Sequence, residues 1–345
     1  MSRKPSTQQR LNRLSINLGL LRASLMVFLG LLLSAQTNAE PELRKKANIL
    51  FGQMPTAMPD SQNDTDEQIK LGERLYFETA LSINKTQSCN TCHNILDGNA
   101  GVDNLKTSAG ALGTLGERNT PSTWNAGFQF AQNWDASAKD LASQARDPIL
   151  SSNEMGLETE KLAIKRLTKA KYKKAFKKAF PNSKKPLSFD NITHALAAFQ
   201  RTLITKDRFD DFLNGDDSAL NQQEQEGLSL VLNKGCITCH SGRLMGGQMV
   251  MKMGLVKPYP NTKDKGKGAI TGNPRDDYLF KVPPLRNVAQ TAPFFHDGEG
   301  ENLETAVLDT GWHQLGIRLN ETEVNNISAF LRALNNTQPY TKRTE

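Results

Sequence analysis

Cys89-Asn90-Thr91-Cys92-His93 and Cys236-Ile237-Thr238-Cys239-His240 are two copies of Cys-x-x-Cys-His, and together they use all four cysteines of the chain. No thiol is left over. Cysteines at this spacing with histidine directly after the second match the attachment site of a c-type haem. The sulfurs form thioethers with the porphyrin vinyl groups and the histidine becomes the proximal iron ligand. A zinc site built from two cysteines and two histidines would not normally set a histidine next to the second cysteine. The spacing predicts two covalent haem c groups, one on Cys89, Cys92 and His93, the other on Cys236, Cys239 and His240.

The first 39 residues agree with that chemistry. Arg3, Lys4, Arg10, Arg13 and Arg22 make a basic start, Ala23 to Leu33 is an apolar run, and Thr37-Asn38-Ala39 offers small residues for cleavage. Residues 1–39 read as an export signal whose apolar run is short for a membrane span, with an uncleaved anchor as the alternative. Covalent haem attachment in bacteria takes place outside the cytoplasm, so the expected compartment is the periplasm. Lys and Arg total 43 against 36 Asp and Glu, but five of the basic residues and none of the acidic ones lie in this leader. The rest of the chain is close to neutral, and nothing in its charge calls for nucleic acid.

The remaining length, about 300 residues, suits two ordinary domains. Before each haem motif comes an amphipathic segment with a readable start: Thr65 with Gln68 and Asn221 with Glu224 have capping-box spacing, as does Asn320 with Glu323 near the C-terminus. Strand-like alternation is scarce, while Gly and Pro punctuate the stretches after each motif. The expected fold is mainly α, with two cytochrome c-like domains, each holding one covalently bound haem c in long loops. Their spans are 40–205 and 206–345. Lys161 to Lys185 is rich in Lys and Arg with no acid, and its Leu167, Tyr172 and Phe176 predict one or two helices with a charged outer face.

Further segments carry a more specific likeness: Gly101-Val102-Asp103-Asn104-Leu105, Arg118-Asn119-Thr120-Pro121-Ser122, Asp147-Pro148 with Glu154-Met155-Gly156, Pro284-Leu285-Arg286-Asn287-Val288, Phe295-His296-Asp297-Gly298 and Gln314-Leu315-Gly316. With the haem motifs, they make residues 65–335 resemble the bacterial di-haem cytochrome c peroxidases, the family that also includes MauG. The resemblance implies that the N-terminal haem meets hydrogen peroxide and that the C-terminal haem receives electrons from a small cytochrome c or cupredoxin. It implies Glu154 as the acid–base residue, with Gln144 and Pro148 beside it, and Trp134 as the aromatic bridge between the haems. Asn119, Thr291 and Pro293 match the positions that hold a calcium ion, and His296 a histidine near the haem propionates. The family also leaves room for a homodimer. Cleaving a peroxide bond calls for one group that takes the proton from the inner oxygen and delivers it to the outer one, and a carboxylate in a partly dry pocket can do both.

Two departures from the family stand out. A distal histidine that blocks the peroxide iron in the oxidised state is matched here by Ala111, which cannot ligate iron. The axial methionine of the C-terminal haem is matched by Thr310, so His313, three residues on, becomes the first candidate for a sixth iron ligand. Met245, Met249, Met251 and Met253 are further candidates. The expected function is a periplasmic di-haem peroxidase whose peroxide site needs no reductive opening. The alternatives are a MauG-like oxidase acting on side chains of a partner protein and, behind it, an electron-transfer cytochrome.

Overall fold

The computed structural model describes residues 41–342 apart from positions 97 and 99. The proposed leader lies outside them. The chain falls into two compact units, Met1–Lys45 and Lys46–Glu345. Of the first, only residues 41–45 are described, and they begin helix α1, Glu42–Leu50. The remaining elements all belong to the second unit.

That unit is mainly helical, as expected, and is built on two helix pairs. In the N-terminal half, α2 (Asp66–Tyr76) packs against α8 (Phe189–Gln200). In the C-terminal half, α10 (Gln222–Asn233) packs against α13 (Glu321–Ala333). Three of these helices start on the capping boxes read from the sequence. Thr65 accepts from the Gln68 amide at 3.3 Å while the Gln68 side chain accepts from the Thr65 amide at 2.9 Å. Asn221 with Glu224 and Asn320 with Glu323 repeat the arrangement. Two backbone amides at each start are thereby satisfied.

Each pair crosses on a glycine. A Cβ at Gly72 of α2 would meet the Ala195 carbonyl oxygen at 1.9 Å and the Phe199 Cβ at 2.8 Å. One at Gly227 of α10 would meet the Asn326 oxygen at 1.9 Å and the Phe330 Cβ at 2.8 Å. The two halves therefore share one crossing geometry. Around the first pair gathers a core of Leu71, Leu75, Tyr76, Ile149, Phe176 and Phe199. Around the second, Leu228, Val231, Ile327, Phe330 and Leu331 are buried.

The duplication extends into the loops. Asn125 and Asn287, 162 residues apart, both hold the left-handed conformation and open a single 3-10 turn, Ala126–Phe128 and Val288–Gln290. The bridges Gln132 with Ala138 and Phe294 with Gly300 keep the same offset. So do the N-cap residues Asp140, before α4 (Leu141–Gln144), and Asn302, before α12 (Leu303–Thr310). Asn125 takes the Thr205 amide on its side-chain oxygen, and Asn287 takes that of Asn336. In this register Trp134 and His296 are counterparts.

The basic block forms α6 (Glu160–Lys169) and α7 (Lys173–Ala179), with Leu167, Tyr172 and Phe176 buried beneath it. This is the charged outer face over an apolar stripe that the sequence predicts. Among the described residues the sheet content is one antiparallel pair, β1 (Val250–Lys252) with β2 (Leu279–Lys281), Met251 opposite Phe280.

Candidate functional site

The first Cys-x-x-Cys-His forms α3 (Cys89–Cys92), which ends on His93. Its imidazole Nδ1 lies 3.0 Å from the Pro121 carbonyl. The second runs as a 3-10 turn, Cys236–Thr238, and His240 Nδ1 lies 3.0 Å from the Met245 carbonyl. In both, a backbone acceptor engages the inner nitrogen and leaves Nε2 for a ligand, the arrangement that orients an iron-binding histidine. Burial pushes both imidazoles toward the neutral form that ligates metal. None of the four cysteines is taken up in a disulfide, so all four are left for thioether attachment. These residues fit covalent haem at both motifs.

A large cavity lies against the second motif, with about 1420 Å³ of atom-free space, part of it open to solvent. Cys236 and His240 form one wall, Val231, Ile327 and Leu331 a second, and Thr310 with Gly311 and Leu315 a third. The same cavity reaches Pro121, the acceptor of His93, and takes in Trp134. Trp134 donates its indole N–H to the Asn119 carbonyl at 2.9 Å, and its ring meets the His296 ring edge-on at 6.5 Å.

Glu154 stands at the first motif, close enough that its charge raises both Cys89 and Cys92. Burial lifts its own carboxyl above the ordinary value, and the negative charge of Asp147 adds to the lift. Two elements set its place. Helix α5 (Arg146–Leu150) carries Pro148, whose carbonyl accepts from the Met155 amide at 3.0 Å. Gln144 closes α4, immediately before α5. The Glu154 carbonyl in turn accepts from the Ala111 amide at 2.6 Å, so the loop expected to carry a distal ligand lies against Glu154 and has alanine at that position. Asn84 holds that loop by donating to the Ala111 carbonyl, and Gln87 by donating to Ala109 at 2.8 Å.

Asn119, Thr291 and Pro293 all line the one cavity. Among the described residues no hydrogen bond ends on the carbonyl of Thr291 or Pro293, so two hard oxygen acceptors are left for a cation. The Asn119 side chain donates its amide nitrogen to the Leu105 carbonyl at 3.0 Å, which fixes the orientation of its remaining oxygen. The donor set suits calcium.

His313 is not brought to the cavity. The sequence expectation puts positions 310 and 313 on one side of a helical turn, but Gly311–Leu315 winds as a π-turn, which carries His313 away from the Thr310 side. Its Nδ1 sits 3.1 Å from the Lys257 carbonyl and its ring packs edge-on to Tyr259, while Thr310 alone of the two lines the cavity. The four methionines also stay outside the cavity lining. Met245 is fully buried, and the Met253 sulfur accepts from the Gln314 amide at 3.3 Å. Sequence reasoning misses Asn84, which donates to the Ala111 carbonyl, and Lys281 in the cavity wall. Each acts across a long sequence separation, and no local pattern marks it.

A mainly helical chain with a duplicated frame and two haem-type motifs is a two-centre cytochrome in its architecture. The sequence model described as di-haem cytochrome c peroxidase matches residues 66–218. The cytochrome c551 peroxidase of Pseudomonas aeruginosa is 43% identical over 306 residues, covering 86% of this chain and 87% of that protein. The methylamine utilization protein MauG of Methylorubrum extorquens is 33% identical, covering 80% of each. Among solved structures, a MauG-like protein associated with microbial copper homeostasis superposes with a TM-score of 0.72 at 28% identity, covering 88% of this chain and 96% of that one. The chain belongs to the di-haem cytochrome c peroxidase family.

Proposed function

We propose that this oxidoreductase reduces hydrogen peroxide to water at the N-terminal motif, with electrons from a small cytochrome c or cupredoxin arriving at the C-terminal one. The observation that carries the reading is Glu154: a carboxyl lifted by burial, beside Cys89 and Cys92, on a turn pinned by Pro148. Haem iron, when bound, supplies the site that holds peroxide and passes electrons to it. Glu154 takes the proton from one peroxide oxygen and returns it to the other, which leaves as water. Pro148 fixes the turn behind it, and Gln144, at the end of α4, would stand beside it. Trp134 stands in the cavity that runs from the second motif to Pro121, the backbone partner of His93, and would relay electrons between the two centres.

The haem groups would be held by Cys89, Cys92 and His93 and by Cys236, Cys239 and His240. Calcium at Asn119, Thr291 and Pro293 would join residues from both halves, whose boundary we place between 205 and 206. Export to the periplasm follows from the leader, and no helix among the described residues is long and apolar enough to cross a membrane. The Ala111 methyl at the blocking position leads to the test. Fully oxidised protein, mixed with peroxide in a stopped-flow instrument, should react without prior reduction. If reaction waits for an added electron, another group blocks the site. The MauG-like reading has one observation in its favour, Thr310 in place of a thioether. Oxidation of a partner protein, rather than of a small cytochrome, would be its sign.

A further inference from the structure

Lys281 is the last residue of β2 and is only 6% exposed. Its backbone amide donates to the Trp134 carbonyl at 2.6 Å, which fixes the strand end beside the inter-motif tryptophan. Its side chain lines the cavity that holds Cys236 and His240, and its ammonium donates to the Gln129 side-chain oxygen, also in that lining. Burial lowers its pKa to about 8, against the opposing pull of Asp135.

The neighbouring cations are already paired with carboxylates. Arg286, fully buried, pairs with both oxygens of Asp207 at 2.5 and 2.6 Å and with Asp210 at 2.9 Å. Arg118 pairs with Asp264 at 2.6 Å and with Asp135 at 2.5 Å, which commits the acid whose charge reaches Lys281. Among the described residues no carboxylate comes within ion-pair distance of Lys281 itself. A buried ammonium held by one neutral amide is costly unless an anion completes it. The space beside it is the cavity.

We propose that Lys281 and Gln129 form an anion site for a carboxylate of the group bound at the second Cys-x-x-Cys-His, a haem propionate. The inference rests on the proposal that haem is bound there. Lys281 is then a positioning residue with an electrostatic role. Its charge neutralises the propionate and favours the reduced iron over the oxidised one, because reduction adds a negative charge near a cation.

The test is spectroelectrochemical titration of the holoprotein, comparing wild type with Lys281→Met, Lys281→Arg and Gln129→Leu. Haem content, read first from the alkaline pyridine spectrum, decides the underlying reading: fewer than two attached haems in the wild type would remove it. With both attached, Lys281→Met should lower the midpoint potential of the C-terminal haem alone, and Lys281→Arg should restore it. Gln129→Leu should give a smaller downward shift. Unchanged potentials in Lys281→Met overturn the proposal, as does an equal shift in Lys281→Arg, since packing damage alone would produce that. If Lys281→Met fails to fold, Gln129→Leu and Lys281→Arg decide, and no shift in the first with normal folding overturns it.

Discussion

Gly227→Ala should loosen the C-terminal half more than any ordinary helix substitution would. On an exposed helix the change is favourable by up to about 1 kcal/mol, because alanine is the better helix former. Here the added methyl would sit 1.9 Å from the Asn326 carbonyl oxygen and 2.8 Å from the Phe330 Cβ. Neither is the tip of a flexible side chain. The oxygen is backbone in α13, so relief requires α10 and α13 to part by about an ångström, which thins the contacts of Leu228, Val231, Ile327 and Phe330 along the seam. Overpacking of this kind costs ~1–3 kcal/mol, occasionally more, and rigid backbone on the far side puts this case at the upper end. At ~2–4 °C per kcal/mol, the apparent melting temperature should fall by roughly 5–10 °C.

The loss should also be local. Val231, Ile327 and Leu331 wall the cavity beside His240, so the visible spectrum of the C-terminal haem should shift while the N-terminal one keeps its own. Gly72→Ala has the same two clash distances against Ala195 and Phe199 and should give a similar loss with the spectroscopic pattern reversed. Melting by circular dichroism beside absorption spectra checks both. A change within about 0.5 kcal/mol of wild type for either variant would refute the shared crossing.

Glu154→Gln should lower peroxide turnover by ~10²–10⁴, measured in steady state with a reduced cytochrome donor, while both haems remain attached. Asp147→Asn removes the lesser of the two causes that raise the Glu154 carboxyl. Turnover needs Glu154 ionised and is lost as pH falls through its raised pKa, so the acid limb of the pH–rate profile should move to lower pH in this variant, and a limb that stays put would sever the link. Thr310→Met places a thioether where the cavity wall is open to the second motif, and should raise the C-terminal haem potential and add a near-infrared sulfur-to-iron band. His313→Ala should leave the spectrum unchanged, because its ring faces Lys257 and Tyr259.

Most of the helical frame is legible in the sequence because its determinants are local. A capping box needs residues three apart, and Thr65, Asn221 and Asn320 each supply one. The haem motifs are equally local. The placement of His313 off the cavity lining is not legible in the sequence, because a π-turn depends on how α12 runs into Gly316, a left-handed glycine, and the 3.6-residue period carries no sign of it. Lys281 escapes notice for another reason: in the sequence it follows Leu279-Phe280 and looks like an exposed strand end, and only the fold encloses its ammonium beside Gln129, 152 residues away. Gly72 and Gly227 give no signal either, since a glycine inside a helix reads as a weakness until the partner helix is in place.

The duplicated frame explains how one chain separates two kinds of chemistry. Tracing the 162-residue register from Asp140 and Asn302 onward brings Pro148 opposite Thr310, so the two halves present corresponding backbone to their haem motifs. Around those positions the halves diverge. In the N-terminal half the helix breaks into α4 and α5, and Ser151 then takes the chain through a turn that delivers Glu154 to Cys89 and Cys92. In the C-terminal half α12 runs on unbroken into the π-turn, and the wall beside His240 carries a threonine hydroxyl and apolar side chains, with no carboxyl in the cavity lining. On the proposed function, the carboxyl that would carry the proton stands at one centre and has no counterpart in the cavity lining at the other. A centre without such a carboxyl would pass electrons rather than cleave peroxide, and Trp134 and His296, counterparts in the repeat, meet edge-on where the two halves join.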